Sequence, residues 1–304
     1  MEPAPLAIDE SDGDASPEGP WASYARRWSA LGPPQRPSPE DVGAALSEVR
    51  AWHAESAARV RALGGQGGAL DVPPPRALLL GVTPEIATMD WPPGTSLLAV
   101  DRSEPMIRAV LPKVGVPADT RAALADWLSL PVSDASVDVA IGDGCLSTFS
   151  FPDGVRALAR EVRRALAPDG RLVMRVYTAP PEREEIGAIA RDLQAGAIGS
   201  FHVVKWRVAM ALERAPGAGV VLDDVRRAIL DLGPLVSALT GRPGFEPRVI
   251  ETLDAYAGST AAYTFPTAEM LGEALSGTFE ITNRILKTYE LGDRCPTLVL
   301  RPVT

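Results

Sequence analysis

Unbroken apolar runs alternate with stretches of 3.6-residue periodicity through the middle of the chain. Ala77, Leu78, Leu79 and Leu80 form a run that stops at Gly81, the pattern of a parallel strand buried on both faces. Thr83, Pro84 and Glu85 read as an N-cap, a first-turn proline and a first-turn acid, so a short helix is predicted there. Ser96 to Val100 make a second apolar strand, closed by Asp101. Ser103 to about Leu111 is predicted helical with Met106 and Ile107 turned inward, and a weaker strand, Thr120 to Leu124, precedes Asp126 and Trp127. After a turn at Pro131 to Ser136, Val137, Val139, Ala140 and Ile141 form the next buried strand, ending at Gly142, Asp143 and Gly144. The helix from Asp153 to about Ala167 is the best defined, with Val155, Leu158, Val162 and Leu166 on one face and Pro168, Asp169 and Gly170 ending it. Arg171 to Tyr177 is a fifth strand. This alternation predicts an α/β fold with a doubly wound, mostly parallel sheet.

The flanks read differently. Residues 1–20 are Pro, Glu, Asp, Ser and Gly with little to bury, so a disordered acidic leader is expected. Trp21, Tyr24, Trp28 and Leu31 recur at helical spacing; the stripe fits core packing, or a lid walling a binding crevice. Ser38, Pro39, Glu40 and Asp41 start a second helix that runs to about Leu63. It carries His53, read as a packing or surface residue, and Gly64, Gly65, Gly67 and Gly68 then form a linker. Residues 21–70 are thus N-terminal helices. From 179 to 277 the periodicity is helical over Pro181 to Gln194, Phe201 to Leu212 and Val221 to Leu232. That length exceeds an ordinary connection and predicts an insertion capping the sheet's carboxyl edge. Phe279 to Leu291 and Thr297 to Arg301 read as two antiparallel strands joined by a tight turn at Gly292 and Asp293, completing a sheet domain of 71–178 plus 278–304.

Composition narrows the chemistry. With 46% hydrophobic residues among 304 the chain can fill a core, and its net charge of −9 without a basic cluster disfavours a nucleic-acid partner. Two cysteines, Cys145 and Cys295, are too few for a disulfide framework or cysteine-rich metal site and fit a reducing compartment, so a cytoplasmic location is expected. No window approaches the roughly 20 apolar residues of a membrane helix, and no His and acid cluster suggests a metal.

Asp101 lies where a dinucleotide-type fold presents a carboxylate to ribose hydroxyls, roughly 20 residues beyond the end of the first strand. The further glycines such a fold uses to admit a pyrophosphate are replaced by Val82, Thr83, Pro84 and Glu85, and Glu85 adds a negative charge that repels one. The ordered set of a strand ending at Gly81, a strand ending at Asp101 and followed by Ser103 and Met106, Asp126-Trp127-Leu128 before Pro131, a strand ending at Asp143, Pro168-Asp169-Gly170 before a fifth strand, and a closing hairpin resembles the class I S-adenosylmethionine-dependent methyltransferases. The resemblance covers about Arg76 to Tyr177 plus the hairpin and implies a Rossmann-like, seven-stranded sheet whose last strand is antiparallel.

It further implies S-adenosyl-L-methionine as cofactor. By position Gly81 would lie against the methionine part, Asp101 would accept from the ribose hydroxyls, Met106 would pack on adenine, Asp126 would accept from the adenine amino group, and Trp127 would offer its backbone N–H. Thr83, Arg102, Ser103 and Leu128 complete the implied cofactor set, and Asp143 would sit near the methionine amino group or the transferred methyl. Where a hydroxyl acceptor needs a general base, His202 or Asp143 is the candidate, with Tyr177 orienting. Tyr24, Trp28, Trp206, Arg207 and Tyr263 are further candidate pocket residues. No Asn or Asp followed by Pro-Pro and an aromatic follows the fourth strand, and Cys145 follows Gly144 and not proline, which disfavours nucleobase methylation. O- or N-methylation of a small molecule is the leading expectation; an adenosyl-binding protein without transfer, and a nicotinamide-dependent oxidoreductase, are the alternatives.

Overall fold

The structure is a computed structural model that describes residues 20–62 and 73–303; the expected leader and the glycine linker lie outside the described residues, except for Pro20. The elements are α1 (Pro20–Arg27), α2 (Pro39–Ala62), β1 (Arg76–Leu80), α3 (Pro84–Ala87), β2 (Ser96–Asp101), α4 (Glu104–Val110), β3 (Asp119–Leu124), β4 (Val137–Asp143), α5 (Asp153–Ala165) and β5 (Leu166–Arg175). Then come α6 (Ile186–Ala195), α7 (Phe201–Leu212), β6 (Val220–Val221), α8 (Leu222–Asp231), α9 (Gly233–Leu239), α10 (Pro247–Ile250), β7 (Ala262–Tyr263), α11 (Ala268–Leu275), β8 (Phe279–Ile285) and β9 (Thr297–Pro302).

Seven strands pair in the order β3-β2-β1-β4-β5-β9-β8. β1 to β5 are parallel, and β9 runs antiparallel to both β5 and β8. The apolar runs of β1, β2 and β4 are explained by burial on two faces. Alternation sends Ala77, Leu79, Leu97, Ala99, Val139 and Ile141 to one core and Leu78, Leu80, Val100 and Ala140 to the other. α5 and α11 cover the second face through Val155, Leu158, Val162 and Leu271. α2 packs on the first face; its start is a reciprocal cap in which Ser38 N–H donates to Asp41 Oδ2 at 2.8 Å and Asp41 N–H donates to Ser38 Oγ at 3.3 Å.

Several boundaries differ from the periodicity: the fifth strand ends at Arg175 and not Tyr177, and the helix expected from Pro181 starts at Ile186. α5 ends at Ala165, because Leu166 already pairs with Val137 and a bulge carries the register on to Arg171 opposite Val139. β8 stops at Ile285, so residues 286–296, containing a short 3-10 turn at Gly292–Arg294, connect it to β9 in place of a tight hairpin. α3 is one turn long, and the Thr83 side chain makes no capping hydrogen bond.

The helices between β5 and α11 are organised on α7, which is buried nearly all round, from Phe201 and Val203 through Trp206 to Met210. A helix apolar on every side belongs in a core, and α7 lies in the cluster that also holds Tyr24, Leu31, Tyr177 and Tyr256. The N-terminal strap is tied to the strand ends. Arg36 pairs with Glu85 and donates to the Trp28 and Leu31 carbonyls at 3.0 and 3.3 Å, while Arg175 donates to the Pro34 carbonyl at 2.7 Å.

Candidate active site

Two contiguous clefts open at the carboxyl ends of β1, β2 and β4, the edge where an open α/β sheet gathers its loops. The inner one is lined by Gly81, Thr83, Asp101 and Met106 on one side, Asp143 and Tyr177 on the floor, and Trp28, Gln35 and Trp206 opposite. The outer one is lined by Arg102, Asp126, Leu128 and Phe149 and shares Trp21, Asp101, Trp127 and Thr148 with the first.

Gly81 follows β1 with φ +98°, a conformation L side chains rarely adopt, and its N–H donates to the Val100 carbonyl at 2.8 Å. A Cβ there would stand 3.7 Å from the Trp127 ring and 3.9 Å from Asp101 Oδ2, filling the space between them. The bare backbone is therefore what keeps this corner open.

Asp101 ends β2 with its side chain buried; its Oδ1 accepts from the Ser103 N–H at 2.8 Å, and Ser103 Oγ caps α4 by accepting from the Met106 N–H. Burial pushes the Asp101 carboxyl up to about 6, opposed by the Ser103 N–H. Trp127 donates its indole N–H to the Val100 carbonyl at 2.6 Å, which fixes its ring over Gly81, and Asp126 is exposed with Oδ1 accepting from the Leu128 N–H at 2.8 Å. Asp101, Trp127, Asp126, Arg102 and Leu128, separated in sequence, thus surround one connected space. The charge of Glu85 is paired with Arg36.

Asp143 ends β4 opposite Arg175 in the β5 register, and the guanidinium engages both of its oxygens, through Nε on Oδ1 and Nη2 on Oδ2 at 3.0 Å. Tyr177 accepts from Arg175 Nη2 at 3.1 Å, its hydroxyl lies 3.0 Å from the Pro34 carbonyl, and burial raises its pKa. His202 is elsewhere. Its ring is buried between α7 and the strap, with Nε2 3.0 Å from the Ala30 carbonyl, and it does not line either cleft. Burial and the neighbouring Lys205 charge lower it to about 3, so it is neutral at ordinary pH.

Of the other candidates, Tyr24, Trp28, Trp206 and Tyr263 line the inner cleft, while Arg207 is spent on Glu184 and Asp192. The aromatic stripe of α1 thus serves both readings: Tyr24 is buried in the core cluster and also walls the cleft. Gln35, Arg175 and Lys205 escaped sequence reasoning. An arginine at the end of the apolar run Leu172-Val173-Met174 was a signal of a buried charge needing a partner; Gln35, in a proline-rich loop, gave none.

Residues 80–174 match a family model described as a methyltransferase domain. Among solved structures, a Rhodobacter sphaeroides protein provisionally assigned as a Zn-dependent alcohol dehydrogenase shares 12% identity, with 93% of this chain and 98% of that one covered and a TM-score of 0.51. That likeness concerns the fold alone. An S-adenosylmethionine-dependent methyltransferase of Methanosarcina mazei shares 17% identity over 76% of this chain and 93% of its own, TM-score 0.44. The 1,6-didemethyltoxoflavin N1-methyltransferase of Burkholderia thailandensis, solved with its substrate and S-adenosylhomocysteine, shares 15% identity over 99% and 100%, TM-score 0.43. No curated protein matches the chain. Residues 80–174 are thus matched as a methyltransferase domain, and they lie within a seven-stranded, mostly parallel sheet closed by an antiparallel β9.

Proposed function

We propose that the protein is an S-adenosylmethionine-dependent methyltransferase that methylates an oxygen or nitrogen of a small molecule held in the inner cleft, under a cap formed by the N-terminal helices and residues 179–277. The observation that carries this reading is the enclosure: the 3-10 turn that follows α1 (Trp28–Ala30) and α7 bring Trp28 and Trp206 over the space that Gly81, Asp101 and Asp143 open from the sheet side. A cavity walled by aromatics with a few convergent polar groups suits a small molecule. A net charge of −9 and the absence, among the described residues, of a helix long and apolar enough to cross a membrane agree with a small-molecule enzyme of the cytoplasm.

The residues fit the cofactor, since the open corner at Gly81 admits a group beside Asp101 that any side chain at 81 would obstruct. Asp101 would accept from the ribose hydroxyls, Met106 and Trp127 would pack on the adenine, and Arg102, Asp126 and Leu128 would line its outer end. When bound, S-adenosylmethionine supplies a methyl carbon already activated by its sulfonium. The chain's contribution is then chiefly position: the aromatic wall orients the acceptor for in-line approach and excludes water. Asp143, with both oxygens on Arg175, and Tyr177, held between Arg175 and Pro34, shape the cleft floor, and His202, buried away from it, takes no proton. An acceptor nitrogen or an already acidic hydroxyl suits a cleft without a free base.

Calorimetry with S-adenosylhomocysteine and with NAD, followed by mass spectrometry of a small-molecule mixture incubated with methyl-deuterated S-adenosylmethionine, tests the reading. Adenosyl binding and label on a small molecule are expected. Saturable adenosyl binding with label on no acceptor, or only on nucleic acid or protein, would overturn the small-molecule assignment.

A further inference from the structure

We propose that the acceptor is a neutral, planar aromatic molecule bearing a hydrogen-bond-accepting oxygen or ring nitrogen, and that the buried Lys205 positions the Gln35 amide to recognise it. The inference deepens the methyl-transfer reading and rests on it.

The cleft wall away from Asp101 is a set of flat surfaces. Trp206 lies 4.4 Å from the Tyr177 ring, tilted by 35°, and 5.4 Å from that of Tyr263, tilted by 39°. Such faces favour another flat ring. Beside the tyrosine hydroxyls, which can donate or accept, this wall carries two donors only. Trp28 Nε1 and Trp206 Nε1 are buried, each without a hydrogen-bond partner, and an indole N–H can only donate. A buried donor left unpaired is costly, and a ligand that supplies an acceptor recovers that cost.

Gln35 adds a third donor through Lys205. The lysine is 1% exposed, and its Nζ lies 2.6 Å from Gln35 Oε1 and 2.8 Å from Thr252 Oγ1. Thr252 gives its own proton to the Val249 carbonyl at 2.6 Å, so toward Lys205 it accepts. The remaining side of the amine faces the Phe201 and Tyr256 rings at 5.9 and 5.6 Å. No carboxylate pairs with it among the described residues, and burial alone lowers its pKa to about 7. Below about pH 7 the amine is an ammonium that offers donors only, so it holds the amide oxygen of Gln35 and leaves the amide nitrogen to the cleft that Gln35 lines. A flip of that amide would set donor against donor.

Charge completes the selection. Of the two acids on the inner cleft, Asp143 is matched by Arg175 and Asp101 lies at the ribose end. A cationic acceptor would meet ring faces but N–H donors and no free carboxylate; an anion would meet no cationic side chain on the cleft lining, from which Lys205 is set back behind Gln35. A neutral ring with acceptor atoms satisfies all three donors.

The test is calorimetry on the full chain saturated with S-adenosylhomocysteine, titrated with coumarin as the neutral planar probe, choline as the cation and 4-hydroxybenzoate as the aromatic anion. Coumarin is expected to bind at least about tenfold more tightly than either. Equal or tighter binding of choline or 4-hydroxybenzoate, or no coumarin binding, overturns the proposal while leaving the methyl-transfer reading intact; failure of S-adenosylhomocysteine itself to bind overturns both. Gln35→Leu, and Gln35→Glu, which keeps the bond to Lys205 but removes the amide donor, should each weaken coumarin roughly tenfold, the loss of one buried hydrogen bond, with S-adenosylhomocysteine affinity unchanged. Lys205→Met should do the same and add nothing to Gln35→Leu. Additive losses in the double variant would show that Lys205 does not act through Gln35.

Discussion

Arg175 and Asp143 face each other across the parallel β4–β5 pair, and the guanidinium that holds both carboxylate oxygens also reaches the Pro34 carbonyl at 2.7 Å. One arginine therefore joins the cleft floor to the strap above it. Both side chains are buried, at 3% and 7% exposure, so removing one leaves a charge without a partner. Arg175→Met is expected to cost about 3–5 kcal/mol in chemical denaturation. The Arg175→Met, Asp143→Leu pair should recover a large part of it; a double variant as unstable as the sum of the two single losses would show that the two residues are not coupled.

Asp101→Ala should weaken S-adenosylhomocysteine binding by about 1.5–3 kcal/mol, the range of hydrogen bonds to a charged group, with unchanged far-UV circular dichroism. Unaltered affinity would remove Asp101 from the cofactor site.

The same carboxyl predicts a pH dependence. Burial holds it at about 6, so the carboxylate proposed to accept from the ribose hydroxyls is fully formed only above that value. Cofactor affinity is expected to be level above about pH 7 and to fall by up to about tenfold per unit below pH 6, and Asp101→Asn should abolish the slope. A flat profile for the unaltered protein would contradict this.

Gly81→Ala places a side chain at φ +98°, where the strain costs on the order of 1–3 kcal/mol. Because the added Cβ also enters the space between Trp127 and Asp101, cofactor affinity should drop along with stability. Loss of stability with full affinity would confine Gly81 to a turn.

His202 bears on acid stability. Its folded value of about 3 lies below the ordinary 6.5, so the unfolded chain takes up the proton first as pH falls. Stability that is whole above pH 6.5 is then lost progressively toward pH 3. The raised Asp101 value works in the opposite direction between 3.8 and about 6, which moderates the net slope. His202→Gln should flatten the acid side of a melting-temperature profile without changing the pH profile of turnover; a changed turnover profile would place His202 in the chemistry.

Much of this protein is determined locally. A strand buried on two faces is largely apolar, so Leu78 to Leu80, Ser96 to Val100 and Val137 to Ile141 declared the parallel sheet, and the strand ends they imply put Gly81 and Asp101 on one cleft. The Ser38 and Ser103 caps were readable because a cap is a contact among neighbours in sequence. The rest required the fold. That α5 yields to β5 at Ala165, and that β8 stops at Ile285, are decided by pairing partners far along the chain, which outweigh local helical or extended preference. His202 and Asp143 both read as bases, since residue type is visible in sequence and surroundings are not. Packing buried the first against Ala30 and gave the second to Arg175. Gln35 meets Lys205 across 170 residues, and no periodicity encodes a hydrogen bond between a loop and a buried helix. The far wall of the inner cleft depends on such meetings, which is why the residues at the strand ends were foreseeable and the Gln35–Lys205 pair was not.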